Sequence, residues 1–470
     1  MTRIAYYSPL PPARSGIADY SAELLPHLAE HLDLELIVDE GFHPAADLAA
    51  RFPVHGHRAL PGLLAQGRFD AVLYHVGNNP DYHGEIVRTL GAVPGIVVLH
   101  EFMLHHLVRG MTLGRGDAAG FIAAMRYAYG ESGEALARRS VATGVPLDPW
   151  SYPLFERVVD ASLGLLVHNE TTASRVLASR PGKAITRVPH HLSLGSLPPL
   201  GAYDPAEIRR RLAIPAGAIV FASFGFITPA KRLEVSLRAF ARLRRELPDA
   251  VYLLVGEVSP HYDFAARLPP ELAPGVVTVG RTDLDRFLLY MLACDVAINL
   301  RYPTAGETSG TLIRLLGLGK PVVVSRLGAF AEIPDDAAAK VDLDDAEEDV
   351  LFAYLHRLAT DPGLRRTMGE NARRHMAEHH TLAGSARGYA DFVRARVEAG
   401  ARPLRIVPPL APYPSHDLPS ELIRELSAEA FDLGVGGEDE GDGELLRALA
   451  ESVVDLGWAE EGSEAGERLR

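Results

Sequence analysis

Short apolar runs separated by amphipathic stretches set the rhythm of this chain. In the first half the runs are Ile4–Tyr7, Leu34–Val38, Ala71–Val76, Ile96–Leu99 and Leu163–Val167, with helical spacing over Tyr20–Glu30 and from Asp117 to Arg139. Continuous apolar strands alternating with helices predict a parallel sheet covered on both faces. Periodicity fades in a Pro/Gly/Ser-rich stretch and then restarts. The second set of strands is Ile219–Phe224, Val251–Val255, Val276–Val279, Val296–Leu300 and Pro321–Ser325, with helices over Pro229–Leu247 and Leu312–Leu318. The predicted class is α/β with two doubly wound, Rossmann-like domains, at 1–190 and 216–380, joined by a linker at 191–215. A further helix is predicted over Thr381–Val397. The tail from 398 to 470 is Pro-rich and then acidic, with weak helices predicted at Ser420–Leu433 and Glu444–Leu456. It reads as a solvated appendage or as a docking element for a protein partner.

Composition sharpens this picture. A chain of 470 residues exceeds one ordinary core, and 47% hydrophobic content suffices to fill two. The formal charge of −14 argues against a nucleic-acid partner, since phosphate backbones need a basic footprint. A single cysteine, Cys294, excludes an internal disulfide. The first residues read as a strand and not as a signal peptide, and no apolar run reaches the roughly 20 residues that span a bilayer. A cytoplasmic protein is expected, with at most peripheral membrane contact.

Ligands of open α/β sheets bind beyond the carboxyl ends of the strands, so the loops there carry the candidate chemistry. After Ile4–Tyr7, the loop Ser8–Tyr20 places Gly16 where a helix begins; it is either a ligand loop or a plain connection. After Ile219–Phe224 comes Gly225, then Thr228 as a plausible helix cap and Pro229 as a first helical residue. That predicts Lys231 and Arg232 in the first helical turn, against the helix dipole. The two are ordinary surface charges, or they bind an anion. After Val296–Leu300, Thr308 or Ser309 can cap the next helix. The N–H groups around Gly310 and Thr311 would then face a phosphate or sugar hydroxyls, with Glu307 beside them. Gly256, Gly280 and Arg281 follow strands and could touch a nucleoside, and His100 follows Ile96–Leu99. His100-Glu101-Phe102-Met103-Leu104-His105 is one residue too long for a zinc-protease helix. The pairs His105-His106 and His190-His191 project apart and lack ligand spacing. No metal site and no cofactor is expected.

Taken together these pieces resemble the retaining glycosyltransferases of the GT-B fold, whose members often carry a Glu-x7-Glu motif. The resemblance covers about 1–397 and rests on Ser8-Pro9, Ser15 to Tyr20, Val167 to Glu170, Gly225 to Glu234, Gly280, Ala293 to Asp295, Glu307 to Thr311 and Gly319 to Ser325. It implies a nucleotide-sugar donor in the second domain and a carbohydrate or lipid-linked acceptor on the first. It also implies Lys231 and Arg232 on the donor diphosphate, Glu307 and His100 at the transferred sugar, and Gly16 near both substrates. The helix at Thr381–Val397 would cross back to the first domain. The second motif glutamate, expected near Arg314 or Leu315, is absent, and a non-catalytic GT-B partner subunit and a sugar-nucleotide epimerase on the same fold stand as alternatives to a transferase. On this reading Lys231→Ala or Arg232→Ala slows turnover with donor in a folded protein, measured by steady-state kinetics.

Overall fold

A computed structural model describes residues 1–194, 204–259, 262, 264 and 270–405. Seven parallel strands form the first sheet: β1 Arg3–Tyr7, β2 Asp33–Val38, β3 Val54–Gly56, β4 Ala71–Val76, β5 Ile96–Leu99, β6 Gly164–Val167 and β7 Ile185–Arg187. Their order is β3-β2-β1-β4-β5-β6-β7. Six form the second: β8 Val220–Phe224, β9 Val251–Val255, β10 Val276–Gly280, β11 Val296–Asn299, β12 Val322–Ser325 and β13 Ala339–Val341, in the order β10-β9-β8-β11-β12-β13. Both sheets reverse direction beside their first strand, which opens a crevice at the carboxyl ends. All six residues of β4 are buried. Helices on both faces cover such strands, and this produces their unbroken apolar pattern.

Three short strands, β3, β7 and β13, escape the sequence reading because three residues carry too little periodicity. The predicted linker is also too long. Pro205–Arg211 is a helix capped by the Asp204 carboxylate, which accepts from Ala206 N at 2.9 Å. Its Ile208, together with Ile214, is buried in the second core, and Arg209 pairs with Asp295 at 2.7 Å. Pro205 is a first-turn helix residue, not loop punctuation. The predicted helix from Asp117 to Arg139 runs over Ala118–Thr143 and is broken at Gly130 (φ 68°, ψ −151°). The predicted tail helices lie outside the described residues. No helix among the described residues is long and apolar enough to cross a membrane.

The chain crosses between the domains twice. It leaves the first near His190–Leu192 and returns near His380, and the crossings are bonded to each other. Leu192 N donates to His380 O at 2.6 Å, and His380 Nδ1 lies 2.6 Å from His190 O. The returning helix, Leu382–Glu398, buries Ala386, Tyr389, Ala390 and Val393 in the first domain's core, with the Tyr389 hydroxyl 2.8 Å from that of Tyr20.

A second junction closes the two sheets over each other. The loop after β11 inserts into the first domain: Phe102 N donates to Ala305 O at 2.9 Å, and Asn169 Nδ2 and Thr172 Oγ1 donate to Gly306 O at 2.8 and 2.9 Å. Gly306 has φ 80°, and a Cβ there would stand 2.3 Å from the Phe102 ring. Gly306→Ala therefore meets both backbone strain and a clash. It is expected to lower stability by about 2–3 kcal/mol, read as a fall in the denaturation midpoint; an unchanged midpoint would contradict this packing.

Candidate active site

Between the sheets lies a cavity of about 680 Å³. On the first-domain side, Ser15 caps the helix Gly16–Leu28 by accepting from Ile17 N at 3.3 Å. Gly16 sits at its mouth, and a Cβ there would meet open space. Asp19 and Glu23, at i and i+4 on this helix, share the cleft-facing side. On the second-domain side, Ser309 caps the helix Gly310–Gly317, its hydroxyl accepting from Leu312 N at 3.2 Å. Of the two candidate caps, Ser309 therefore takes the role. Thr308, Gly310 and Thr311 line the cleft at this helix start, where free N–H groups and the dipole favour an anion.

Glu307 is held rather than free. Its carboxylate accepts from Thr304 Oγ1 at 3.0 Å and Ala305 N at 2.9 Å, and stands 3.1 Å from Arg301 Nε. These contacts fix it at the cleft wall opposite His100 and Glu101.

The basic pair separates. Residues Pro229–Lys231 form a single 3₁₀ turn, Arg232 is left-handed (φ 51°), and the helix begins only at Leu233. Thr228 caps nothing with its side chain. Neither Lys231 nor Arg232 thus occupies a first helical turn; the left-handed residue interrupts the helix that Pro229 starts. Arg232 turns away to a bidentate ion pair with Glu347, with Nε 2.7 Å from the carboxylate, and its guanidinium lies 5.7 Å from the Tyr302 ring. Neither Arg232 nor Lys231 is among the residues that line the cleft; Arg232, engaged by Glu347, is withdrawn from its expected place on a donor diphosphate on the ground of that ion pair. Lys231 is buried, at 9% exposure, and its ammonium donates to the Phe224 carbonyl. No carboxylate among the described residues pairs with it. Burial, reinforced by Arg301 and opposed by Glu307, pushes its pKa well below the usual lysine value. A Cβ on Gly225 (φ 83°) would lie 3.2 Å from Lys231 Nζ and 3.4 Å from Thr311 Oγ1, so Gly225 marks where the ammonium adjoins the helix start.

The remaining glycines divide. Gly256 packs on the Gly225 backbone, where a Cβ would stand 2.1 Å from the Gly225 carbonyl oxygen. It supports that turn and does not line the cleft. Gly280 (φ 74°) ends β10 and turns the chain so that Arg281 reaches the cleft, 3.6 Å from Glu257.

Two groups escape the sequence reading. The first is a histidine cluster around Tyr20, whose ring centroid lies 4.2–5.2 Å from those of His100, His168, His190 and His191. His100 Nε2 is 3.0 Å from Nδ1 of buried His75. Burial, then neighbouring imidazoles, holds His75, His100 and His190 well below the ordinary histidine range, so these rings are neutral. The rings come from separate segments, and only folding brings them together. Among the described residues no group of three or more His, Cys, Asp or Glu side chains is arranged to hold a metal ion. The second is an ion pair across the cleft. Arg314, at one of the two positions expected for the missing motif glutamate, bonds Glu23 at 2.7 Å, and Glu23 also takes His191 Nε2 at 3.1 Å. Burial raises the Glu23 pKa, but His191 and Arg314 outweigh it and the net shift is downward. Leu315 is core. The i, i+4 spacing of Asp19 and Glu23 was the available sequence signal for that carboxylate.

Two Rossmann-like sheets enclosing a cleft define the GT-B fold. Residues 204–375, most of the second domain, match the family model described as glycosyl transferases group 1. The chain is 29% identical over 276 residues to the D-inositol 3-phosphate glycosyltransferase of Salinispora arenicola, covering 54% of this chain and 61% of that one. It is 30% identical over 257 residues to the protein of the same description from Salinispora tropica, covering 50% and 52%. The chain thus spans about half the length of the curated relatives it matches. Among solved structures, sucrose-phosphate synthase from Thermosynechococcus elongatus superposes with a TM-score of 0.62 at 16% identity, over 85% of this chain and all of that one. The Anabaena protein HepE in complex with UDP-glucose superposes at 0.57 and 14% identity, over 84% of this chain and all of that one.

A buried, unpaired ammonium destabilises the unliganded protein. Lys231 holds its proton less tightly folded than unfolded, so unfolding takes up a proton; stability rises with pH up to the ordinary lysine value of 10.5. Lys231→Met is expected to flatten that rise, seen in denaturation midpoints between pH 7 and 10. It should also weaken binding of a nucleoside diphosphate about tenfold or more. Unchanged nucleotide affinity would overturn the assignment of Lys231 to an anion.

Proposed function

We propose that the protein transfers a sugar from a nucleoside-diphosphate sugar to a hydroxyl of a carbohydrate or lipid-linked acceptor, with retention of anomeric configuration and without a metal. The observation that carries this reading is the meeting of the Ser309-capped helix start with the unpaired Lys231, next to Glu307. The description of the Salinispora relatives as inositol-phosphate glycosyltransferases agrees with it, as does UDP-glucose in the structural neighbour.

In this reaction the bond between the anomeric carbon and the diphosphate oxygen breaks, and a bond to the acceptor oxygen forms on the same face. The acceptor proton passes to a donor phosphate oxygen, and the nucleoside diphosphate leaves. Charge grows on that leaving group. The helix N–H groups, Lys231 and Arg281 are fixed in advance to meet it, which is the efficient form of electrostatic catalysis. Neutral His100 hydrogen-bonds a sugar hydroxyl and is not the base. Glu307, oriented by Arg301, Thr304 and Ala305 N, accepts from a hydroxyl of the transferred sugar. Closure of the domains excludes water. The reading places the enzyme in glycan, polysaccharide or glycolipid synthesis.

A panel of nucleotide sugars tested for thermal stabilisation identifies the donor, because ligand binding raises apparent stability. Glu307→Gln is expected to lower kcat by about 100-fold and to change nucleoside diphosphate affinity less than about threefold. An unaltered kcat, or an inverted product by NMR, would refute the corresponding part of the proposal.

A further inference from the structure

One half-buried carboxyl in the cleft has no part in the reaction as derived. Glu101 follows β5 and His100 and lines the same cavity as Glu307. One of its oxygens accepts from Asn78 N at 3.1 Å. The other has no protein partner among the described residues. No cation pairs with it either: Arg301 stands on Glu307, Lys231 on the Phe224 carbonyl, and the neighbouring His100 and His75 are neutral. Glu307 of the second domain lines the same cavity, as does Arg281, and of these it is the Glu307 charge that acts on Glu101.

The backbone forces this approach. Phe102 and Met103, next in sequence to Glu101, donate to Ala305 O at 2.9 and 3.3 Å, and Ala305 lies two residues from Glu307. The clasp that joins the domains therefore also brings two carboxyl groups together. A like charge in a shared, partly dry site disfavours ionisation of Glu101. Burial, then the Glu307 charge, pushes Glu101 up to about 8, and the Asn78 amide only partly offsets them. Glu101 is thus a neutral acid at pH 7, able to donate a hydrogen bond where a carboxylate could only accept.

We propose that Glu101 and Glu307 form one interdomain carboxyl pair holding a single proton, with Glu101 donating to an oxygen of the transferred sugar while Glu307 accepts from an adjacent hydroxyl. The proposal rests on the donor reading above for its ligand, but not for its proton. The pair exists only with the domains closed, so the sugar is recognised by both domains at once. A ligand lacking the sugar cannot use it.

The test has two arms on the full chain. Infrared difference spectra without ligand should show a protonated carboxyl at pH 7 that ionises near pH 8 and is missing in Glu101→Gln. UDP-glucose and UDP then serve as binding probes. The wild-type preference for UDP-glucose over UDP should fall about tenfold between pH 7 and pH 9. Glu101→Gln, which keeps a donor and cannot ionise, should hold that preference level across the range. Glu101→Leu should lose it at every pH, with UDP affinity unchanged in both variants. A wild type with no carboxyl ionising above pH 6, or a Glu101→Leu protein that keeps the preference, would overturn the pair. A wild type that binds neither probe counts against the donor reading, while the ligand-free spectra still decide the shared proton.

Discussion

The fold turns on two backbone carbonyls, those of Ala305 and Gly306. They leave one domain and are satisfied in the other, by Phe102 N, Asn169 and Thr172. Buried carbonyls must be bonded somewhere, so this loop holds its shape only while the first domain supplies the donors. The next residues along the chain are Glu307 and the helix cap Ser309. Site geometry and domain docking are therefore set by the same short segment. A site assembled this way is complete only when both domains are present, which suits chemistry that must exclude water.

Charge is distributed unevenly around the cavity. The second domain offers a helix start and Arg281, with Lys231 buried beside Gly225 and Arg301 behind Glu307. The first offers neutral imidazoles and carboxyl groups. An anionic group is thus drawn to one wall and a neutral polyhydroxyl group to the other. The net charge of −14 conceals this local asymmetry. Arg314 bonded to Glu23 ties the two walls at a third point. The positive charge of Arg314, at or beside the motif position, is therefore compensated from the opposite domain rather than left open.

Much of the architecture was legible because parallel strands buried on both faces write continuous apolar runs, as in β4 and β12. The loops at their carboxyl ends were legible for the same reason, and Gly16, His100, Arg281, Glu307, Thr308, Gly310 and Thr311 all reach one cleft. What failed was local or long-range in identifiable ways. Arg232 adopts a left-handed conformation that no propensity rule assigns to arginine, and a partner 115 residues away draws it off. The histidine cluster joins residues from β4, the end of β5, the end of β6 and the interdomain crossing, so no spacing rule could reveal it. Glu101 appeared in the sequence only as part of a rejected zinc motif. Its meaning depends on Glu307, which folding brings across from the other domain.

The two chain crossings, bonded to each other at Leu192, His190 and His380, have a mechanical consequence. Two independent tethers set apart would resist twisting and permit only a bend about the line joining them. Two tethers fused at one place behave as a single pivot, about which the second domain can swing and rotate. Opening the cleft then requires undoing contacts away from that pivot, among them those of Ala305 and Gly306 and the bonds of Glu170 and Thr171 to Glu332, while Arg314–Glu23 stays beside the pivot through His191. The returning helix, seated in the first core through Tyr389, keeps the pivot from drifting as the far edge lifts.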